Sequence, residues 1–270
     1  MIYYLSYMEL WHFMNDLFDS IAAVLRDGGI ENYQNEARWI IGESPDPAVA
    51  VERAKRRAAG EPLQYLLGTA PFRYLTLKVD RRVLIPRPET ELLAQWLIDQ
   101  APAGASILEL GCGSGAVSIA VATERPDLTV TAVDISTDAL DLARINAAEC
   151  GAGRIEFIHS DLFSALSGRK FDFIGANLPY VTEEEYRELA AEVRDFEPQI
   201  ALTAPMNGLA VILRAVKDLP QFLNPGGGAI FELSPHQAAA VASALTGAGL
   251  SSGIIRDLCD RERFVTGIMP

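Results

Sequence analysis

Residues 106–120 read SILELGCGSGAVSIA, and this stretch decides the fold of the chain. The mostly apolar SILEL predicts a buried strand, and the apolar run after the last glycine predicts a helix. Between them, Gly111, Gly113 and Gly115 let the backbone turn sharply and approach a ligand that side chains would exclude. The ligand would lie at the helix N-terminus, over the carboxyl end of a sheet. Gly111, Gly113 and Ala116 also fit the dinucleotide pattern G-x-G-x-x-G/A, so the turn alone leaves the nucleotide cofactor open.

Helix and strand patterns alternate on both sides of this turn, from about residue 91 to the C-terminus. The predicted strands are SILEL, LTVTAVD, RIEFIHSD, FDFIGAN, GGAIFEL and RFVTGI. The predicted helices are ELLAQWLIDQA, AVSIAVATE, STDALDLARINAAEC and HQAAAVASALTGAG. Ser136 or Thr137 can cap the third of these helices. Such alternation predicts an α/β fold, a doubly wound and mostly parallel sheet with helices on both faces.

The segments before residue 91 have different patterns. Residues 1–68 show helical periodicity and little strand signal, which predicts a small helical domain. Its first helix is expected to pack through an apolar face made by Ile2, Leu5, Leu10, Phe13 and Leu17. Residues 69–90 contain FRYLTLKVDRRVLIP, whose two alternating runs predict the strands of a hairpin. This hairpin would link the helical domain to the α/β domain at residues 91–270.

Composition restricts the classes of function. The 270 residues are 49% hydrophobic and carry a formal net charge of −13, with a pI of about 4.7. A balance this acidic argues against a broad phosphate-binding surface, so no direct nucleic-acid contact is expected. The three cysteines and three histidines lack metal-ligand spacing, which predicts no metal and a reduced, cytoplasmic setting. No apolar run approaches the length of about 20 residues that crosses a bilayer, and no membrane partner is expected.

Acidic residues follow the second and third predicted strands. Asp134 ends the second strand, 23 residues after Gly111, and its carboxylate can accept hydrogen bonds from both hydroxyls of a ribose. Capping of the next helix is the alternative role for Asp134. Asp161 can accept from an adenine amino group, while the adjacent Leu162 packs on the ring. A turn-forming role for Asp161 is an equal alternative.

The fourth predicted strand ends at Asn177-Leu178-Pro179-Tyr180. A planar amide or amino nitrogen is a poor nucleophile because its lone pair is delocalised, so a site must hold it with acceptors and aim its out-of-plane lobe at an electrophile. The side-chain oxygen of Asn177 is one acceptor. The backbone carbonyl of Leu178 is a second, because Pro179 disfavours a helical conformation before it. Tyr180 offers a flat face to the planar group. The alternative is a strand stopped by Pro179, with Tyr180 in the core.

Taken in order, LELGCGSG, AVD, the acidic turn and NLPY resemble the motif set of class I S-adenosylmethionine-dependent methyltransferases, over residues 105–180. A dehydrogenase does not need Asn-x-Pro-Tyr after its fourth strand. The resemblance implies S-adenosylmethionine as cofactor and S-adenosylhomocysteine as product. The cofactor-binding residues that it implies are Gly111, Cys112, Gly113, Ser114, Gly115, Asp134, Asp161, Leu162 and Asn177.

From about residue 35 to the C-terminus, the chain also resembles the HemK/PrmC family of protein-(glutamine-N5) methyltransferases, which act on peptide chain release factors. The matching segments are GEPLQYLLGTAPF, VLIPRPETELL, RDFEPQIAL, NGLAVILRAV and LNPGGGAIFELSPHQ, and IPRPETE is the most specific element. The resemblance implies a monomer whose residues 1–68 recognise the release factor. It implies catalytic roles for Asn177, Pro179 and Tyr180. The residues that it implies for holding the glutamine of a Gly-Gly-Gln loop are Asn177, Leu178, Pro179, Tyr180, Arg87 and Glu89, with Pro88 and Thr90 nearby.

The sequence departs from the family pattern at two positions. Leu178 stands where the family usually has proline, and Leu162 stands where an aromatic residue is frequent. Asn-Leu-Pro-Tyr also resembles the motif of rRNA adenine-N6 dimethyltransferases, so adenine-N6 methylation of rRNA or DNA is the alternative function. The helical domain before the α/β domain and the negative charge favour glutamine. A binding module that has lost its chemistry is a further alternative, against which the intact Asn177, Pro179 and Tyr180 argue.

Overall fold

The computed structural model describes residues 7–270, with side chains from Trp11 onward. The described chain forms two compact units. The first contains the described residues up to Gly68 together with Ala191–Phe196. The second contains Thr69–Ala190 and Glu197–Pro270.

The secondary structure of residues 7–270 follows the chain as three sets of elements. The α-helices are α1 (Tyr7–Asp27), α2 (Tyr33–Gly42), α3 (Pro47–Ala58), α4 (Leu63–Leu67), α5 (Glu91–Gln100), α6 (Ala116–Glu124), α7 (Thr137–Glu149), α8 (Glu183–Glu188), α9 (Ala191–Arg194), α10 (Ala210–Phe222) and α11 (Ala238–Gly247). The strands are β1 (Thr69–Phe72), β2 (Leu75–Lys78), β3 (Ser106–Leu110), β4 (Thr129–Asp134), β5 (Glu156–His159), β6 (Phe171–Asn177), β7 (Leu223–Glu232), β8 (Ser251–Arg256) and β9 (Glu262–Ile268). Short 3-10 helices occupy Pro88–Thr90, Gln199–Ala201 and Pro235–Gln237.

The first unit is helical and is built from α1–α4 and α9. Leu25 of α1, Ile40 of α2 and Ala54 of α3 are fully buried in its apolar cluster. Helix α3 begins where the carboxylate of Asp46 accepts a hydrogen bond from the backbone N–H of Val49 at 3.0 Å. Such a cap satisfies one of the unpaired N–H groups at the start of a helix.

The predicted packing face of the first helix needs correction. Ile2 and Leu5 lie outside the described residues, and so does the side chain of Leu10. Leu17 packs against the apolar cluster of the unit, but Phe13 is 45% exposed and is not part of a buried face. The buried face of α1 instead continues toward its C-terminal end, where Leu25 is fully buried.

The predicted hairpin occupies only the first part of residues 69–90. Strands β1 and β2 pair antiparallel from Thr69↔Lys78 to Phe72↔Leu75. The predicted hairpin is therefore present, but both of its strands lie before VDRRVLIP, and this later segment forms no strand. It turns at Asp80, whose carbonyl accepts from the backbone N–H of Val83 at 3.1 Å. Its alternation reflects burial of Val83 and Ile85 in a loop.

The second unit is organised around a seven-stranded sheet in the order β5-β4-β3-β6-β7-β9-β8. The neighbours β5, β4, β3, β6 and β7 are parallel, and β9 runs antiparallel to both β7 and β8. This order confirms the predicted doubly wound, mostly parallel sheet. Strand β6 lies at its centre, and at its carboxyl end Asn177 is paired in register with Glu232 of β7.

Helices cover both faces of this sheet, as predicted. Successive residues of a strand point to opposite faces. Ile107 and Phe173 belong to an apolar cluster that includes residues of α5, α6 and α7. Their neighbours Leu108 and Ile174 belong to a second cluster, which includes residues of α10 and α11. The two clusters are therefore the two hydrophobic layers of the α/β unit.

The sequence reading missed α10 and β8. Pro220 lies inside α10 and weakens the helical signal there. Strand β8 has the sequence SSGIIR, in which serines and a glycine lower the strand signal. Among the described residues, no helix combines the length and apolarity that a membrane span requires.

Candidate active site

A cavity opens at the carboxyl ends of β3, β4, β5 and β6, the sheet edge at which the sequence predicted a ligand. Its empty space is about 1250 Å³, including the part that is open to solvent. The ends of these strands and the segments that follow them line it, and they contribute Glu109, Gly111, Cys112, Gly113, Ser114, Asp134, Asp161, Leu162, Asn177, Leu178 and Pro179. Two further segments of the same unit, 82–90 and 198–214, contribute Arg87, Thr90, Pro198, Ile200 and Arg214 among others.

The glycine turn between β3 and α6 lines this cavity through Gly111, Cys112, Gly113 and Ser114. Gly111, Gly113 and Gly115 have φ of 69°, 53° and 80°, a region that favours glycine. The backbone N–H groups of Gly111 and Cys112 donate to the carbonyl of Val133 at 2.8 and 3.0 Å, which holds the turn on β4. A Cβ at position 111 would lie 3.1 Å from Leu178. The turn after β3 therefore packs closely on the segment after β6, so that both segments can contact one ligand.

Asp134 receives two backbone hydrogen bonds inside the cavity. Its Oδ2 accepts from the N–H of Gly113 at 2.8 Å, and its Oδ1 accepts from the N–H of Ser136 at 2.9 Å. Burial raises the pKa of Asp134, and these hydrogen bonds oppose the rise. The cap of α7 is Ser136, whose Oγ accepts from the N–H of Ala139. Capping is therefore not the role of Asp134, and a carboxylate with about four acceptor positions keeps acceptor capacity for a ligand.

Glu109 is a cavity residue that the sequence reading missed. It is 5% exposed, and the backbone N–H and the hydroxyl of Ser118 both donate to its Oε2, the first at 2.9 Å. Burial raises the pKa of Glu109 to about 8, against the effect of these two hydrogen bonds. The sequence signal that could have identified it is an acidic residue inside an apolar strand, two residues before Gly111. A carboxyl group so placed can change its ionisation when a cationic ligand binds.

Asp161 and Leu162 both line the cavity. The Oδ2 of Asp161 is paired with Arg214 at 2.7 Å, in an exposed ion pair that the sequence did not predict. Leu162 is 8% exposed and has φ of 49°, which is uncommon for a residue with a branched side chain. The side chain of Leu162 lies at the cavity wall, where the sequence predicts that it packs on an adenine ring.

Asn177 ends β6 and is held by a chain of side-chain hydrogen bonds. Its Nδ2 donates to Oγ1 of Thr90 at 3.1 Å, and this hydroxyl donates to Oε2 of Glu232 at 2.7 Å. Leu178 and Pro179 line the cavity beside it. Just beyond, the backbone of Val181 exchanges hydrogen bonds with Leu202 and Ala204 at 2.9 and 3.1 Å. The segment is thus fixed at both ends.

Tyr180 is placed differently from its neighbours. It packs against the second apolar cluster and is not one of the cavity-lining residues within the described part of the chain. Its carbonyl accepts from Nε2 of Gln237 at 2.8 Å. Burial raises the pKa of the Tyr180 phenol to about 12, and the charge of Glu232 acts in the same direction.

Arg87 and Glu89, the two substrate-binding residues predicted in the IPRPETE segment, form ion pairs with different residues. Arg87 lines the cavity and donates to Oε1 of Glu197 at 2.5 Å. The other oxygen of Glu197 accepts from the backbone N–H of Ile85 at 3.1 Å, so this buried carboxylate fixes the loop on which Arg87 lies. Glu89 instead accepts from Arg261 at 3.1 Å and is not among the cavity-lining residues described.

Cys112 is buried in the glycine turn, where burial raises the pKa of its thiol well above the ordinary value. It contributes a small side chain to the cavity wall. Within residues 7–270, no group of three histidine, cysteine or acidic side chains is arranged to hold a metal ion.

Comparison with known proteins decides the family. The family model described as methyltransferase small domain matches residues 88–194. The release factor glutamine methyltransferase of Rhodopirellula baltica is 40% identical over 226 residues, which are 80% of this chain and 76% of that protein. The corresponding protein of Neisseria gonorrhoeae is 42% identical over 217 residues, 79% of each chain. The chain belongs to the release factor glutamine methyltransferase family.

The fold of this family member agrees with solved methyltransferases. The crystal structure of a methyltransferase from Pyrococcus furiosus matches with a TM-score of 0.56 at 16% identity, over 72% of this chain and 88% of that one. The predicted family resemblance and the class I fold are therefore confirmed. The chain is a protein methyltransferase, and the dehydrogenase interpretation of the glycine turn is set aside.

A methyltransferase of this family uses S-adenosylmethionine, and the cavity residues fit it. The acceptor capacity left on the Asp134 carboxylate suits the hydroxyls of a ribose. Glu109 supplies an ionisable carboxyl group within the cavity for a cationic ligand. The positive φ of Gly111 and Gly113 lets backbone, rather than side chains, face the bound group.

Proposed function

We propose that this protein methylates the side-chain amide nitrogen, N5, of the glutamine in the Gly-Gly-Gln motif of a peptide chain release factor, with S-adenosylmethionine as the methyl donor. The observation that carries the proposal is the placement of Asn177. Its side-chain amide is tethered to Thr90 at the carboxyl end of the central strand, in the cavity that also contains Asp134 and the glycine turn. Family membership favours glutamine over the adenine alternative.

The proposed task of Asn177 and Leu178 is to make a weak nucleophile reactive by position. When bound, S-adenosylmethionine supplies an electrophilic methyl group. The side-chain oxygen of Asn177 and the backbone carbonyl of Leu178 accept hydrogen bonds from the two N–H groups of the glutamine amide. These two acceptors fix the orientation of the amide plane, and they leave the lone pair of the nitrogen available to the methyl group. Orientation of this kind contributes roughly 7–11 kcal/mol in favourable cases.

The other predicted site residues take supporting roles in this proposal. Pro179 shapes the backbone of the loop, and Tyr180 holds it through its packing and its carbonyl. Arg87 lines the cavity and acts on the substrate side, held by Glu197. Glu89 acts indirectly, through Arg261 at the protein surface.

Cofactor binding is assigned to the strand ends. Asp134 accepts from the ribose hydroxyls, and Leu162 packs on the adenine. Asp161 is shared between Arg214 and the adenine amino group. The turn from Gly111 to Gly115 presents its backbone, and Glu109 faces the cationic part of the cofactor. S-adenosylhomocysteine is the product that leaves the same residues.

The partner in this proposal is the release factor itself. Residues 1–68 form the part of the chain that we assign to its recognition, residues 69–90 connect the two parts, and residues 91–270 perform the chemistry. The protein acts as a monomer in the cytoplasm, where release factors work. No direct contact with nucleic acid is needed, which agrees with the net charge of −13.

The decisive experiment supplies radiolabelled S-adenosylmethionine with a release factor that carries Gly-Gly-Gln or with its Gln→Ala variant. Labelling of the first protein alone is expected. Equal labelling of both contradicts the glutamine assignment, and labelling of rRNA or DNA in parallel reactions would support the adenine alternative. Cofactor binding with no methyl transfer to any of these substrates would instead indicate a binding module.

A further inference from the structure

Thr90, Asn177 and Glu232 come from three separate parts of the second unit. Thr90 ends the 3-10 helix before α5, Asn177 ends β6, and Glu232 ends the neighbouring strand β7. Thr90 is 6% exposed and Glu232 is 2% exposed, so water does not replace their mutual hydrogen bond. The register of the sheet pairs Asn177 with Glu232, and Thr90 bridges the two side chains.

The directions of these hydrogen bonds follow from the atoms available. An ionised carboxylate only accepts, and a threonine hydroxyl has a single hydrogen. Because Thr90 donates that hydrogen to Glu232, it offers only lone pairs to Asn177. The amide of Asn177 must therefore turn its NH₂ group toward Thr90. Its oxygen is then the atom left for another partner.

The orientation of the amide decides what Asn177 can do. The oxygen and nitrogen ends of an asparagine side chain have nearly the same size, and a half-turn about the last torsion exchanges them. With the nitrogen end toward the substrate, two N–H donors would face each other. With the oxygen end, Asn177 is the acceptor that the glutamine nitrogen needs.

We propose that Thr90 and Glu232 are positioning residues for methyl transfer, which hold the side-chain amide of Asn177 with its oxygen toward the substrate nitrogen. Glu232 accepts the single hydrogen of the Thr90 hydroxyl, and Thr90 then accepts from the NH₂ group of Asn177. This inference rests on the proposed function of Asn177. Neither residue touches the reacting atoms.

Matched substitutions separate the hydroxyl of Thr90 from its packing. Thr90→Val keeps the shape and removes the hydroxyl, whereas Thr90→Ser keeps the hydroxyl and removes a methyl group. We expect kcat for release factor methylation to fall roughly 10- to 100-fold in Thr90→Val, since a misplacement of about 1 Å can cost 100-fold. Thr90→Ser is expected to stay close to the unaltered protein. Glu232→Gln, which can donate to Thr90 as well as accept, is expected to lower kcat in the same direction.

The loss should fall on kcat and not on cofactor affinity, because Asp134 and the glycine turn are unchanged. Calorimetry with S-adenosylmethionine measures that affinity for each variant. Thr123→Val is the control, since Thr123 lies on α6 and bonds only carbonyls of its own helix. Undiminished turnover in Thr90→Val overturns the proposal, and so does an equal loss in Thr90→Ser, which would indicate a packing role.

A second readout does not depend on catalysis. In the full chain with ¹⁵N-labelled asparagine, the side-chain NH₂ signals of Asn177 are identified by their loss in Asn177→Ala. These signals should shift in Thr90→Val and Glu232→Gln and stay in place in Thr90→Ser and Thr123→Val. Unshifted signals in Thr90→Val refute the network even if the enzyme methylates glutamine. Shifted signals in a protein that does not methylate glutamine support the network while the proposed function fails.

Discussion

Gly208 lies so close to the carbonyl oxygen of Tyr180 that a Cβ at position 208 would be 1.9 Å from it. The same Cβ would be 2.4 Å from Nε2 of Gln237, which donates to the carbonyls of Tyr180 and Asn207 at 2.8 and 2.9 Å. Gly208 has φ of 76°, and Met206 and Asn207 before it have φ of 56° and 55°. This left-handed run places the backbone of residues 206–208 against Tyr180, with no room for a side chain at position 208.

Gly208→Ala should therefore disturb the site as well as the fold. Gly226 is a matched control, because it has the same φ of 76° but no atom within 4 Å of a Cβ. Gly226→Ala is expected to lower the free energy of unfolding by about 1–2 kcal/mol through backbone strain alone. Gly208→Ala should lose about 1–3 kcal/mol more through overpacking. It should also lower kcat, because the Tyr180 carbonyl must move.

Urea unfolding of the two variants and turnover at saturating substrates check this difference. Equal stability losses, or normal turnover in Gly208→Ala, would show that the contact between Gly208 and Tyr180 does not fix the loop.

Asn177→Ala is expected to reduce turnover sharply while leaving much of the cofactor affinity. The variant removes the proposed acceptor oxygen, but it leaves Asp134 and the turn after β3 in place. Single-turnover methylation measures the first effect and calorimetry the second. Near-normal turnover would remove Asn177 from the proposed role, and a loss confined to cofactor affinity would assign it to cofactor binding alone.

Asp134→Ala should weaken cofactor binding because two proposed hydrogen bonds to the ribose disappear. At roughly 0.5–1.5 kcal/mol for each bond, the loss is about 1–3 kcal/mol, or roughly 5- to 150-fold in Kd. Asp141→Ala is the control, since Asp141 is an exposed residue of the neighbouring helix α7, where it forms an ion pair with Arg144. Calorimetry that finds the same affinity in both variants contradicts the ribose role.

Cofactor binding should also release protons from Glu109. Burial raises the pKa of Glu109 to about 8, so the free protein holds a proton there at neutral pH. A cationic ligand favours the ionised carboxylate and lowers this pKa. Calorimetry at about pH 7.5 in buffers of different ionisation enthalpy measures the release. The buffer dependence should disappear in Glu109→Gln, and its absence from the unaltered protein would place Glu109 away from the cationic group.

The sequence was sufficient for the central strands because their signals are local. Within about ten residues, the apolar pattern is enough to predict the strands SILEL and FDFIGAN and the glycine turn. Asp134 was expected at the cavity, where it lies, because a parallel sheet brings its strand ends to one edge. The positions of β3, β4 and β6 and of the cavity above them follow from such short segments.

The sequence could not supply the partners that fix these residues. Glu197 is separated from Arg87 by 110 residues, and Glu232 from Thr90 by 142. No local pattern joins them, because the contacts exist only after the sheet has formed. The extent of the hairpin has a related cause: its strands end at Lys78, and Val83 alternates with polar neighbours because a loop buries it. Tyr180 was expected to face the cavity, yet its burial lies on the side of the second apolar cluster.

The ionisation of Glu232 predicts the pH dependence of turnover. Burial raises the pKa of Glu232 to about 7, against the hydrogen bond from Thr90 and the positive charges of Arg263 and Arg87, while the charge of Glu89 adds to the rise. Tyr180, the remaining titratable neighbour, is neutral in this range, since its pKa is about 12. Above pH 7 the carboxylate only accepts, so the amide of Asn177 is held in one orientation. Below pH 7 the protonated group can donate to Thr90, and the chain of hydrogen bonds loses its direction.

We therefore expect kcat to rise between about pH 6 and pH 8, with an apparent pKa near 7, when both substrates are saturating. Glu232→Gln cannot titrate, so its kcat should be lower and should lack this rise. Glu109→Gln should keep the rise of kcat with pH. At saturating cofactor every active site is occupied, so a weaker affinity in this variant does not change kcat. A Glu232→Gln protein that shows the same acidic limb would assign the titration to another group. A flat profile in the unaltered protein would show that protonation of Glu232 does not alter how Asn177 is held.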